Sequence, residues 1–233
     1  MNRVDSEPAF VLHRRAWRET SLIVDLLTRS AGRIASVARG ARSPRSAWFG
    51  VAEPFRMLHV SWLRRGDMAT LTGIDLAGRS PALTGTALWC GFYANELVLK
   101  LLPRDDPDSA LFDAYAGLLP ELTDAATQAP ALRRFECRLL DALGVLPDLS
   151  ETAGDGVPVE PIGRYRVDPA VGPERAGPDS AGYPGRLLLA LASRQRIDHR
   201  DAGDARRLMR TLIEYHLDGR KLKTPSMFRE NVS

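Results

Sequence analysis

Between about Pro8 and Gly78 the apolar positions come in short runs broken by turn residues, the pattern of strands with one buried face. Ala9–His13 opens the series. Thr20–Thr28 and Arg33–Arg39 follow, joined by a turn at Arg29–Gly32, and Phe55–Leu63 and Ala69–Leu76 flank Arg64–Asp67. Five such strands suit a small closed barrel, and the Greek-key oligonucleotide-binding (OB) barrel is one fold of that kind.

Near Pro81 the period lengthens. Leu83, Ala87, Leu88, Phe92 and Leu97 fall near helical spacing, predicting a helix over Leu83–Leu102 that Pro103 ends. Ser109–Thr127 and Ala131–Leu143 predict two more, with Pro130 at the start of the second and Gly144 at its C-terminus. Pro147–Gly185 holds seven prolines and seven glycines with little periodicity. It is expected to be irregular, with a short hairpin around Gly163–Asp168. Helical spacing returns in Gly185–Ser193, Asp201–Leu217 and Thr224–Glu230. The expected architecture is α+β and multi-domain: an OB barrel over residues 1–80, then a helical domain over 81–233 interrupted by the irregular insert at 147–185.

Charge sharpens this picture. The formal net is only +3, but residues 1–80 hold 13 Arg against 7 acidic side chains, while 81–233 hold 19 Lys and Arg against 22 acidic ones. A basic domain followed by a mildly acidic one suits a polyanion bound at one end of the chain. Arginine supplies 29 of the 32 cations along the whole length, so the preference for arginine carries no functional weight by itself.

The positive charge concentrates at turns. Val37–Ser46 (VARGARSPRS) is expected to form a mobile basic hairpin, with Arg39, Arg42 and Arg45 offering guanidinium forks to phosphates. Arg14, Arg15 and Arg18 follow the first strand, and Arg64 and Arg65 lie at the fourth turn; barrel closure is expected to gather some of these into one charged face. Trp17, Trp48, Phe49 and Trp62 are interleaved among them, as a base-stacking surface requires. Trp62, in an alternating strand, is read as core, whereas Trp48 and Phe49 suit stacking and packing equally. Gly219–Ser226 is a second basic patch, read first as a helix-end cap and second as an extension of a nucleic-acid path.

Other chemistry finds little support. The chain has no GxxxxGK[ST], G-x-S-x-G or H-E-x-x-H, and its four histidines lack ligand spacing. No catalytic residue, cofactor or metal is expected. Asp105, Asp106 and Asp108 read as charge at a helix N-terminus, and Arg65-Gly66-Asp67 as a turn. Cys90 and Cys137 read as free thiols in a reducing compartment, and the chain shows no signal-peptide run, so a cytosolic protein is expected.

Several stretches form an ordered series: Ala9-Phe10-Val11-Leu12-His13, Glu19-Thr20-Ser21-Leu22, Gly32-Arg33, Ala38-Arg39-Gly40-Ala41-Arg42, Glu53-Pro54-Phe55 and Leu71-Thr72. It continues through Tyr93-Ala94-Asn95-Glu96-Leu97, Ala131-Leu132-Arg133-Arg134-Phe135-Glu136, Leu139-Leu140-x-x-Leu143-Gly144 and Leu222-Lys223-Thr224. In order and spacing the chain resembles the RecO family of bacterial recombination mediators. The resemblance implies an N-terminal OB-fold, a helical C-terminal domain, and a non-enzymatic role on the nucleoid. It further implies binding of single- and double-stranded DNA, annealing of complementary strands, and cooperation with RecR in loading RecA onto DNA coated by single-strand-binding protein (SSB). By the same resemblance the acidic C-terminal tail of SSB docks on the helical domain, with Arg133 as first candidate and Arg134 as second. Some family members carry a four-cysteine zinc module in the irregular part; Pro147–Gly185 has no cysteine, so no zinc is expected there and a mobile segment is expected in its place. The competing reading is an adaptor whose barrel binds a protein instead of DNA.

Overall fold

The computed structural model describes residues 2–177 and 181–224. They form two compact units, one running to Asp124 with Lys223 and Thr224 added, the other spanning Ala125–Leu222. The expected helix at Thr224–Glu230, past its first residue, and the end of the basic patch at Pro225 and Ser226 lie outside the described residues.

Five strands, β1 (Asn2–Trp17), β2 (Ser21–Thr28), β3 (Gly32–Ala38), β4 (Met57–Arg64) and β5 (Ala69–Leu76), close into a barrel in the order β1-β2-β3-β5-β4. This is the small OB-like barrel that the alternating runs predict. β1 extends beyond the expected Ala9–His13 because it serves two neighbours, pairing β2 from Ala9 to Trp17 and β4 from Asn2 to Phe10. Its polar ends hide the strand from hydrophobic pattern but not from backbone pairing. The remaining seam, between β3 and β5, is parallel and only two residue pairs long, Ser36 with Ala69 and Val37 with Thr70.

Val11, Val24, Leu26, Ile34, Leu58, Val60, Trp62 and Leu71 fill the barrel. The outer faces of β1 and β2 are covered as well: Phe10 meets Phe112 and Tyr115 with ring centroids 5.3 and 5.0 Å away. That two-sided burial explains why SLIVDLLT is almost continuously apolar instead of alternating. At Leu12 the β1–β2 register slips by one residue, a β-bulge that takes its carbonyl out of the ladder. Asn95 Nδ2 donates to that carbonyl at 2.9 Å, and the Tyr115 hydroxyl donates to Asn95 Oδ1. Asn95 belongs to α1 (Gly85–Leu101) and Tyr115 to α2 (Ser109–Glu121), so one buried polar relay fastens both helices to the barrel. Two glycines permit close approach. A Cβ on Gly32, at φ +66°, would stand 2.3 Å from the Asp106 carbonyl oxygen, and one on Gly91 would stand 2.8 Å from the Phe55 ring.

The second unit contains α3 (Ala125–Ala142), α4 (Gly185–Ala192) and α5 (Ala202–His216). Leu132, Phe135 and Leu139 of α3 and Leu208, Met209 and Leu212 of α5 are buried. Pro130 lies inside α3, not at its start as expected. The alanine-rich Ala125–Ala129 carries the helix past it, and a proline so near the N-terminus removes a single backbone bond. The Pro/Gly-rich stretch is more ordered than its composition predicts. The hairpin expected near Gly163–Asp168 is there, as β6 (Arg164–Asp168) and β7 (Gly172–Arg175), and β8 (Tyr183–Pro184) adds a third strand. Tyr165 at its centre is fully buried, its hydroxyl accepting from the Glu160 N–H at 2.8 Å. Strands of two to five residues give too few alternations to stand out from their turns. Cys137, buried 3.6 Å from Met209 Sδ, is held inert, its thiol pushed up to about 12 by burial and then by the Glu136 charge.

Candidate nucleic-acid interface

Strand register assembles one end of the barrel. Trp17 pairs with Ser21 and Leu22 with Ala38, so Arg39, one residue past β3, lies two strands from Trp17 at the same end. Arg42 ties the basic loop there. Its N–H donates to the Thr20 carbonyl at 2.8 Å, and its Nη1 reaches the carbonyls of Arg18 and Glu19, each at 3.2 Å.

The loop is not the projecting hairpin its composition suggests. The N–H groups of Ser43, Ser46, Phe49 and Val51 each bond to a carbonyl three residues back, giving a chain of tight turns. Gly40 and Gly50, at φ +73° and +71°, supply left-handed corners. Ala41 and Ala52 enter the barrel core, and Trp48 and Val51 pack against it. Arg56 secures the far side, donating to the Gly50 carbonyl at 2.7 Å. The apolar residues between the arginines fold this loop over the barrel end. Trp48 is therefore a packing residue first; Phe49 stays exposed, and Trp62 is core, as its strand position predicts.

The eight barrel arginines singled out from the sequence divide by what already holds them. Arg15, Arg39 and Arg45 are exposed and, among the described residues, pair with no carboxylate. Arg14 is bound to Glu53 at 2.7 Å. Arg18, at φ +54°, sets its guanidinium 5.9 Å from the Trp17 ring. Arg42 serves the backbone. Arg64 makes a bidentate pair with Asp105, one contact at 2.8 Å, and also donates to the carbonyls of Gly66 and Asp67. Asp105 is held below the usual carboxylate range by the Arg64 hydrogen bond, against the smaller opposing effect of burial. Arg65 is exposed in the bend after β4, where Gly66 stands at φ +83°.

Glu53, Arg56 and Asp105 were not foreseen as part of this surface. No local pattern joins Arg64 to a carboxylate 41 residues later. On α3, Arg133 is largely buried, its side chain 12% exposed, and its Nη2 donates to the fully buried Glu136 at 2.6 Å. Its Nε, also buried, has no hydrogen-bond partner among the described residues. Arg134, next on the helix, is partly exposed.

Comparison with known proteins decides the family. The description of the recombination protein O N-terminal part matches residues 1–79, and that of its C-terminal part matches residues 82–225. The chain belongs to the RecO family. DNA repair protein RecO of Halorhodospira halophila is 46% identical over 235 residues, covering 98% of each chain. Its namesake in Alkalilimnicola ehrlichii is 46% identical over 98% of this chain and 92% of its own, and that of Methylococcus capsulatus 42% identical over 99% and 95%. Membership gives the chain a role in DNA repair and recombination. No helix among the described residues is long and apolar enough to cross a membrane.

Proposed function

We propose that the chain is a non-enzymatic cytoplasmic mediator that binds single- and double-stranded DNA across the Trp17–Arg39 end of its barrel and anneals complementary strands. The observation that carries this is the set of exposed arginines without carboxylate partners, Arg15, Arg39 and Arg45, on a surface whose loop Arg42 and Arg56 brace from beneath. Fixed guanidinium groups neutralise phosphate repulsion between two strands and release their counter-ions, which speeds encounter without a chemical step. Such contacts hold phosphates and leave base sequence unread. With RecR, the complex helps RecA replace SSB on single strands. The SSB tail meets the second unit at Arg134, with Arg133 positioned behind it as the partner of Glu136.

The test is titration of labelled single-stranded DNA at rising salt, with the unaltered chain and with Arg39→Ala/Arg45→Ala. Losing two phosphate contacts lowers the slope of log affinity on log salt by about 1.4. An unchanged slope and affinity, with a protein partner still bound, favours the adaptor reading over this one.

A further inference from the structure

Trp17 has no structural task that accounts for its position. Of the four tryptophans it alone is exposed, at 41%; Trp62 is core, Trp48 packs on the barrel, and Trp89 is half-buried on α1 beside Phe92. The backbone around it is nevertheless tightly specified. Arg18 adopts a left-handed φ of +54°, costly for a residue with a long side chain. Arg42 holds that conformation by bonding to the carbonyls of Arg18 and Glu19. The turn so fixed sets the Arg18 guanidinium at the indole, 5.9 Å from its centroid, in cation–π range. A strained turn, braced by a second element so that an exposed aromatic ring keeps one orientation, is the arrangement of a ligand platform, since packing alone requires none of it.

We infer that Trp17 is a stacking platform for one unpaired base of single-stranded DNA. The inference rests on the DNA-binding reading above and deepens it by naming which form of DNA this part of the surface prefers. Arg39 lies two strands away, about 10 Å at ordinary strand spacing, where it meets a phosphate of the same short stretch of strand. A base laid on the indole gains dispersion and π contact whatever its identity, and Arg18 over the ring adds a cation to the stack. In a duplex the base faces are stacked on their neighbours, so Trp17 has nothing to receive. The arrangement therefore separates single from double strands, while the arginines treat both alike. It also serves annealing, because a base stacked on one face keeps its Watson–Crick edge free for the complementary strand.

The experiment measures the anisotropy of a labelled thymidine homo-oligomer and of a duplex of equal length, at one fixed salt concentration, with the full chain. Trp17→Ala is expected to lose about 5- to 150-fold in affinity for the single strand, the span for removing one base–aromatic stack, and under twofold for the duplex. Trp17→Phe keeps most of the single-strand affinity, whereas Arg39→Ala/Arg45→Ala loses affinity for both forms. If the unaltered chain binds both DNAs and Trp17→Ala lowers both equally, or neither, the stacking assignment falls while the phosphate-contact reading stands. If the unaltered chain binds neither DNA, both fall together.

Discussion

Asn95→Leu tests how the barrel holds its helices. The substitution keeps the branching and heavy-atom count of the side chain but removes the middle of the relay from the Leu12 carbonyl through Asn95 to the Tyr115 hydroxyl, all deeply buried. It takes from that carbonyl and that hydroxyl the bond that Asn95 makes with each. At about 1–3 kcal/mol for each buried hydrogen bond lost, the cost is about 2–6 kcal/mol. Tyr115→Phe orphans only Asn95 Oδ1, at about 1–3 kcal/mol. In the double variant only the Leu12 carbonyl is orphaned, so it too costs about 1–3 kcal/mol, less than the singles summed by about 2–6 kcal/mol. The assay is urea denaturation followed by tryptophan emission. Trp17, Trp48, Trp62 and Trp89 all lie in the first unit, so the signal ignores unfolding of the second. Additive single costs, or an Asn95→Leu penalty under about 1 kcal/mol, refute the relay.

Arg133→Ala takes the Arg133 cation from the fully buried Glu136 carboxylate and is expected to cost the second unit about 3–5 kcal/mol, read as a shift in its thermal transition by tyrosine near-ultraviolet dichroism. Arg133→Met/Glu136→Leu, which removes both charges, recovers most of that loss; an SSB tail peptide that binds this double variant as well as the unaltered chain removes Arg133 from tail recognition. Glu96 on α1 accepts from the N–H groups of Lys223 and Thr224 and from the Thr224 hydroxyl. Burial alone raises its pKa, but these donors and Lys100 outweigh burial and hold it below its ordinary 4.5. A folded-state pKa below the unfolded value makes the contact fully stabilising above the unfolded value and lost as pH falls through the folded one. Protection of the Lys223 and Thr224 amides from hydrogen exchange, corrected for intrinsic rates, is therefore constant down to about pH 5 and declines below it. Glu96→Ala abolishes it at every pH, and equal protection in the variant contradicts the latch.

Hydrophobic period alone located every barrel strand and all the described helices, because each buries a face with its own repeat. It failed where burial is absent or confined to one side chain. The ends of β1 are polar yet paired, and the short β6–β8 sheet hangs on one buried aromatic, Tyr165. At the interface, residue type marked Arg39 and Arg45 as solvent-facing charge in a loop, a local property, whereas Arg14 and Arg15, expected past the first strand, lie within β1. The work of Arg42 and Arg64 was not legible, because their partners, the Arg18 and Glu19 carbonyls and Asp105, are distant in sequence. The same holds for Arg133, whose neighbour Glu136 shares its helix but whose burial depends on the packing of α3.

The parallel junction of β3 and β5 makes the barrel a sheet with a clasp. Two residue pairs close it, where every other strand pair of the barrel has at least seven. Local opening follows the least-bonded element, so the sheet unrolls at this junction at lower free energy than anywhere else on its circumference. Each such opening bares two strand edges. The basic loop leaves β3 at Arg39, two residues beyond the clasp. A polyanion that binds this loop better in the closed form than in the open one would by mass action keep the clasp shut. Occupancy of the arginines and integrity of the barrel would then be two readings of one equilibrium.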